Sequence, residues 1–455
     1  MGSTTITGNL NNDQLEDIIT LGAKGQATTI WLQTPEGTFA PQELPDSKET
    51  QINEDVHALI FDVNGDQAND LLIVSGGNEF RNGAPLKPRL YINQEGTFIR
   101  DTTQFQNTIV NASKVTAVDI DNDEDLDICI TSNAVPHQFG KTPQQYLFKN
   151  NGAGNFKDVT ATYAPSLQYL GNIHDLFWKD LNNDGYMDAI AVGHWMPISI
   201  FLNDGKSLTL KKNTNLENTN GWWNTIQVAD FDNDGDQDIM AGNWGLNTRL
   251  QPSVQKPVTL YRNDFDNNKR IDPIVTYYYQ GQETTIATKD ELAKQIPLIN
   301  KEFLSYNAFA KADIDQLFDT KKLKEAEKKK VYQFASVYFE NTGDLAFKAQ
   351  ELPFLAQSSS VHDIAIDDFD KDGYPDALLV GNTYEISTQL GRLDASHGVF
   401  LHNNQKGGFD TLENQNCDIP GASRNIEKIK IKDSIFYVIG RNNDTPLFLK
   451  KENEY

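Results

Sequence analysis

Short apolar runs recur along the chain, rich in β-branched side chains and without a 3.6-residue period: "IITLG", "LLIVSGG", "ICITSN", "AIAVGHW", "IMAGNWG", "PIVTYYY" and "ALLVGN". Runs of this length and make-up predict strands rather than helices. Before most of them lies an alternating segment such as "HALIF", "KVTAV" or "NTIQVA". After them come "TTIWLQ", "RLYINQ", "QYLFKN", "SIFLND" and "GVFLHNN", and then often "GTF" or "GNF" opening a further segment. The pattern therefore describes a repeating unit of four strands, with one polar interruption of constant shape between the first and the second.

That interruption is acidic and occurs seven times, with Asp or Asn at relative positions 1, 3, 5 and 9 and an apolar residue at position 2. The copies place Asn9, Asn11, Asp13 and Asp17; Asp62, Asn64, Asp66 and Asp70; Asp119, Asp121, Asp123 and Asp127; Asp180, Asn182, Asp184 and Asp188 at these positions. The later three place Asp230, Asp232, Asp234 and Asp238; Asp264, Asp266, Asn268 and Asp272; Asp368, Asp370, Asp372 and Asp376. Copies start 53, 57, 61 and 50 residues apart, then 34, then 104. A unit of four strands at this period suits a propeller blade. The expected fold is all-β: one seven-bladed β-propeller domain over residues 1–455 with four-stranded antiparallel blades.

The irregular last spacings place an insertion at 247–334 within blade five, a hairpin followed by helices from Thr288 to about Lys330. "TKDE" predicts a capping box between Thr288 and Glu291, and "KKLKEAEKKK" reads as a solvated helical face. "NIEKIKIKDSIFYVIGRNNDTPLFLKK", without an acidic loop, supplies the last blade. If the inserted hairpin is a blade of its own, the total is eight.

Alternate residues of a tight loop turn their oxygens to one side, so side chains 1, 3 and 5 converge, and the position 7 carbonyl and position 9 carboxylate close a shell. Hard oxygen donors in this number favour calcium, and no copy holds His or Cys. Gly or Asn near position 6 eases the bend. An EF-hand is excluded because Ala241 and Leu379 stand where its bidentate Glu belongs, and because the flanks are strands. Seven calcium ions would bring the formal net charge from −24 to −10.

The charge balance of 40 basic against 64 acidic residues speaks against nucleic acid and anionic membranes as partners. Two cysteines, Cys129 in an apolar run and Cys417 in a polar loop, form no disulfide framework. "DAIAVGHWMPISIFL" is interrupted by His194 and Pro197 and is too short to span a membrane, so direct membrane insertion is not expected. "MGSTTITG" lacks the pattern of a secretion signal, and its first three residues read as a cloning remnant.

The "DxDxDGxxD" loop followed by an apolar strand resembles the FG-GAP/VCBS repeat of integrin α-subunit propellers and many bacterial surface proteins. The layout, with "GNWGLNT", "RLYINQ" and "GRLDASHG", is similar to the propeller part of bacterial proteins related to cartilage acidic protein. The resemblance implies a calcium-stiffened extracellular or cell-surface propeller, commonly non-catalytic. It identifies no ligand.

In such blades the acidic loops gather on one face and the loops after the second strands on the other. The latter offer Asn78 and Glu79, His194 and Trp195, Asn243, Trp244 and Asn247, and Asn382, Tyr384, Glu385, Arg392 and Asp394 as candidate ligand contacts, because aromatic rings beside amides and charges suit a sugar or peptide. The two tryptophans and His194 equally suit packing between blades. The preferred function is a non-catalytic binding or adhesion module for a glycan or surface protein. One alternative is a carbohydrate-active enzyme such as a polysaccharide lyase, with His194, Arg392, Asp394 and His397 as proton-transfer candidates. The other is a structural part of a larger surface assembly.

Overall fold

The computed structural model describes residues 4–387, 389–411 and 417–451; the opening tripeptide and Thr388 of the "GNTYEISTQLGRLDASHG" loop lie outside them. The described residues form eight antiparallel sheets, six of four strands, one of four with an added strand, and one of three. Sheet one is Thr5–Gly8, Asp17–Thr20, Thr29–Gln33 and Phe39–Glu43 in sequence order, and sheets two to four repeat this scheme from Asp55–Phe61, Ala112–Val118 and Asn172–Lys179. Sheet six starts at Val361–Asp367 and sheet seven, of three strands, at Ser423–Ile431.

Sheet five is interrupted. Its first two strands, Thr225–Ala229 and Asp238–Gly242, pair in register, but Asp238–Gly242 takes its next partner from Val337–Asn341, almost a hundred residues on. The chain between them builds a separate sheet from Val258–Asn263, Asp272–Tyr279, Gln282–Thr285 and Glu327–Val331. The expected hairpin, Asp272–Tyr279 with Gln282–Thr285, is thus one side of a four-stranded sheet, with Gln282–Thr285 at its edge. The helical stretch is shorter than its pattern suggested, with five short helices between Lys289 and Glu325. "EKKKV" is a strand, because Lys328 to Lys330 pair with Thr259 to Tyr261 and tertiary pairing overrides helix propensity. The Thr288–Glu291 capping box is present, and Leu292, Ile296, Phe309 and Leu317 of this region close a core over Tyr261 and Ile274.

Each second strand lies between its first and third, and several are buried along their length, as in Asp70–Ser75, Asp127–Ser132 and Asp376–Gly381. This explains why these strands read as continuous apolar runs: neighbouring sheets cover both faces. Leu72 and Val74 of sheet two pack with Ile128 and Ile130 of sheet three, Ile190 and Val192 with Ile239 and Ala241, and Ile18 of sheet one with Ile429 and Val438 of sheet seven. First strands run beside first strands from Thr5–Gly8 through Asp55–Phe61, Ala112–Val118, Asn172–Lys179, Thr225–Ala229 and Val361–Asp367 to Ser423–Ile431, and the last also lies beside Thr5–Gly8. The arrangement is propeller-like.

Candidate metal loops and a candidate ligand cleft

In each of the seven acidic loops the backbone folds around its own carboxylates. Asp230 accepts from Asp234 N at 3.1 Å and Gly235 N at 3.0 Å, Asp232 from Asp234 N at 3.3 Å, and Asp234 from Asp236 N at 2.9 Å. The same ladder holds around Asp180 and Asp368. Two left-handed residues make it possible, at position 4 (Asn233, φ 60°) and position 6 (Gly235, φ 98°). The sequence reading saw only the second. Asn suits position 4 because its short polar side chain tolerates this conformation, and it also reaches outward: Asn12, Asn122 and Asn233 donate to Gln67 O, Gly185 O and Gly373 O in the acidic loop of the next sheet.

The position 9 carboxylates are buried and clamp the sheet. Asp70 accepts from Val63 N at 3.0 Å and from Asn93 N of the third strand at 2.7 Å, and Asp127, Asp188, Asp238 and Asp376 make the same pair of bonds to Asn150, Asn203, Asn341 and Asn403. Four of these asparagines then bridge sheets, while the amide of Asn341 stays within its own sheet on Gln237 O. The amide of Asn93 reaches Leu10 O, that of Asn150 Val63 O, that of Asn203 Ile120 O and that of Asn403 Phe231 O, each in the preceding sheet. Gln33 occupies the equivalent place in sheet one and reaches Lys430 O of sheet seven at 3.1 Å. No role was assigned to these residues from sequence. Their signal is an apolar strand ending in "YIN", "FKN", "FLN", "FEN" or "LHN".

The donor set fits a hard divalent cation. Asp119, Asp121 and Asp127, then Asp230, Asp232 and Asp234, then Asp264, Asp266 and Asp272, then Asp368, Asp370 and Asp372 each bring ligand oxygens within 4.8 Å of one another. Among the described residues Asn9 Oδ1 and Asp121 Oδ1 are buried acceptors without donors, a state that a bound cation would relieve. Burial pushes Asp70, Asp127, Asp188 and Asp238 up to about 6, opposed by their backbone hydrogen bonds and reinforced by the loop's other carboxylates. The third loop carries a cation of its own: Lys149 pairs with Asp121 and, at 3.1 Å, with Asp123, and hydrogen bonding to Asp121 holds its ammonium above the usual lysine range. At the matching place His402 stands 3.2 Å from Asp370 and 3.3 Å from Asp376.

The sixth loop, in the inserted sheet, is built differently. Asp264 keeps its bonds to Asn268 N and Lys269 N, and Asp272 its bond to Phe265 N, but the second oxygen of Asp272 meets only the amide of Gln295, at 3.4 Å. Lys322 caps the loop through Asp264 O, Phe265 O and Asn267 Oδ1.

The expected ligand contacts do not form one site. Asn243 is fully buried and bonds Trp222 N, Trp244 N, Gln333 O and Ala335 O, and Asn382 is committed to Ser396 and Gly421 O; both belong to the scaffold. Trp195 and Trp244 join Trp222 and Phe334 in an aromatic cluster against the inserted sheet, with Asn247 exposed nearby in sequence. His194 stacks on His174 at 3.8 Å, and burial lowers it to about 4, so it is neutral. Tyr384 carries the Arg392 guanidinium over its ring at 3.8 Å, Glu385 pairs with Arg424 at 3.0 Å, and Asp394 and His397 are exposed. Asn78 and Glu79 lie elsewhere, bonded to each other and, through Asn78 Oδ1, to His137 N.

Asn78 borders a cleft of about 950 Å³ that sequence reasoning missed. Its walls are the loops after the second strands of sheets two and three (Asn78, Arg81, residues 133–139) and, opposite, Arg262, Arg270 and Ile271 of the inserted sheet. Three ties fix the walls: Asn78 to His137 N, Arg262 Nε to Phe139 O at 3.0 Å, and Lys329 to Thr142 and Asn172. Elsewhere the insertion touches sheet six through Glu291 and Gln389. Since the cleft needs residues from chain segments more than a hundred positions apart, no local motif announces it.

Against known families, residues 62–130 and 180–241 match the FG-GAP-like repeat. The chain carries FG-GAP-like repeats. No curated protein matches it. Among solved structures it is similar to an Agrocybe aegerita lectin described as recognising non-reducing terminal N-acetylglucosamine, at 14% identity and a TM-score of 0.47, over 90% of this chain and 78% of the lectin. It is also similar to the V. cholerae biofilm matrix protein Bap1, at 10% identity and a TM-score of 0.40, over 100% of this chain and 88% of Bap1.

Proposed function

We propose that this chain is a closed, seven-bladed, calcium-binding propeller, carrying the inserted segment 247–334 in blade five, that acts outside the cell as a non-catalytic binding module for a glycan or surface protein. The observation carrying this reading is the division of labour between faces. On one, carboxylate loops are cross-tied from sheet to sheet; on the other, loops of sheets two and three and the inserted sheet enclose a preformed cleft. Seven blades and closure are supported by the run of first strands that returns from Ser423–Ile431 to Thr5–Gly8, and by Asn425 of sheet seven, which bonds both Thr5 N at 3.0 Å and Thr5 O at 2.5 Å. Calcium is supported by the carboxylate clusters and by the FG-GAP-like match. Bound there, calcium would supply positive charge that holds the loops against mutual repulsion. Loops closed by carbonyl and water ligands suit the high calcium found outside cells.

The test is an array of glycans and surface proteins probed with and without calcium, paired with calorimetric titration of calcium. Saturable binding of several ions and calcium-dependent capture of a glycan or protein are expected. Absence of calcium binding, or release of an unsaturated product from a uronate-containing glycan, would overturn the reading.

A further inference from the structure

We propose that the cleft between the inserted sheet and sheets two and three binds the carboxylate- or sulfate-bearing units of an acidic polysaccharide. The inference rests on the reading of this face as the binding face and narrows it to one ligand class.

The argument begins with charge. The chain carries −24 overall, yet among the described residues none lining the cleft is acidic, and three are arginines. Arg262 is buried and paired with Glu327, so its charge serves the wall. Arg81 and Arg270 are exposed, and neither guanidinium has a partner among the described residues. Arginines held in a cleft and left unpaired are forks for carboxylate or sulfate oxygens.

The rest of the lining specifies what carries the anion. A dense polyanion such as nucleic acid meets the repulsion of the whole molecule with only two free cations to offset it. A sugar chain with an occasional acid group among neutral rings needs no more than two. Its hydroxyls meet the amides of Asn78, Asn133 and Gln138. Phe139, 57% exposed, presents a ring kept upright by edge contact with Trp195 at 6.4 Å, a platform for the apolar face of a pyranose. The volume, about 950 Å³, stands near the top of the roughly 300–1,000 Å³ of small-ligand sites.

Arg270 also explains a departure within the repeats. It occupies position 7 of the sixth acidic loop, where the ring loops carry Leu15, Ala68, Asp125, Tyr186, Asp236 and Tyr374. This loop alone borders the cleft, and it alone carries arginine there.

The test is calorimetric binding, in excess calcium, of three short probes of equal length: an oligogalacturonate, a sulfated galactan oligosaccharide and a neutral galactan oligosaccharide. At least one acidic probe is expected to bind, with the neutral one at least about tenfold weaker. Arg81→Ala and Arg270→Ala should each weaken the acidic probe by about tenfold, Phe139→Ala by a similar factor, and Arg270→Lys by less. Calcium stoichiometry and melting temperature should stay unchanged in Arg81→Ala, and melting temperature in Arg270→Lys, which separates recognition from folding. Which acidic probe binds tells carboxylate from sulfate, and either supports the proposal. Binding of neither acidic probe, equal binding of the neutral one, or indifference of both arginine variants would overturn it. The broader reading of the face fails separately, if the intact protein captures no glycan or surface protein at all.

Discussion

The fifth and sixth acidic loops start from nearly the same string, "DFDND" and "DFDNN", and fold into the same local ladder, yet they do different work. In the fifth, Asp238 fixes Phe231 N, Asn341 N and the Tyr338 hydroxyl, and Asn233 reaches the acidic loop of the next sheet. In the sixth, Asp272 has one short bond, a helix lysine caps the loop, and the far side opens on the cleft. The repeat therefore encodes a turn, while the element after it decides whether the turn is a rivet between sheets or the rim of a site.

Four measurements sharpen or break that contrast. The largest effect should come from calcium removal: chelation is expected to lower the melting temperature on the order of 10 °C, since each ion adds about 2.7 kcal/mol at a hundredfold excess over its Kd. An unchanged melting curve would remove the stabilising role of the metal. Next, Asp238→Ala orphans three buried donors and should cost about 3–5 kcal/mol in denaturant unfolding, against about 1–2 kcal/mol for Asp272→Ala. Equal costs would erase the distinction between rivet and rim.

The third measurement is pH dependence in chelator. Burial raises Asp70, Asp127, Asp188 and Asp238 from 3.8 to about 6 in the folded chain. Between about 4 and 6 the folded state then holds more protons than the unfolded one, so stability falls as pH rises through that window. Calcium, which binds the ionised form, should abolish or reverse the fall. A calcium-free protein that gains stability from pH 4 to 6 would contradict this sign. Smallest is Asn233→Gly, which keeps the left-handed backbone (φ 60°) but removes the bond to Gly373 O. It should cost about 0.5–1 kcal/mol by thermal unfolding, and no measurable change would mean that the loop-to-loop ties are incidental.

Much of the scaffold was legible beforehand. The strand, loop, strand, strand, strand order and the Thr288 capping box follow from local pattern. "EKKKV" was misread as helix because its strand character comes from pairing with Val258–Asn263, some seventy residues earlier. Asn243 and Asn382 were offered as ligand contacts because a polar residue in a loop looks available. Only packing reveals that their hydrogen bonds are already used.

By itself the sequence determined the short-range terms: which residues extend, where the chain turns left-handed, and which carboxylates share a loop. Backbone sterics and side-chain periodicity act over a few residues, and the string displays them. The tertiary structure alone decided which asparagine closes each carboxylate clamp, that Lys149 neutralises the third loop, and that arginines distant in the chain face one cleft. Hydrogen bonds and charges act across space, and their partners become known only when the sheets are set side by side.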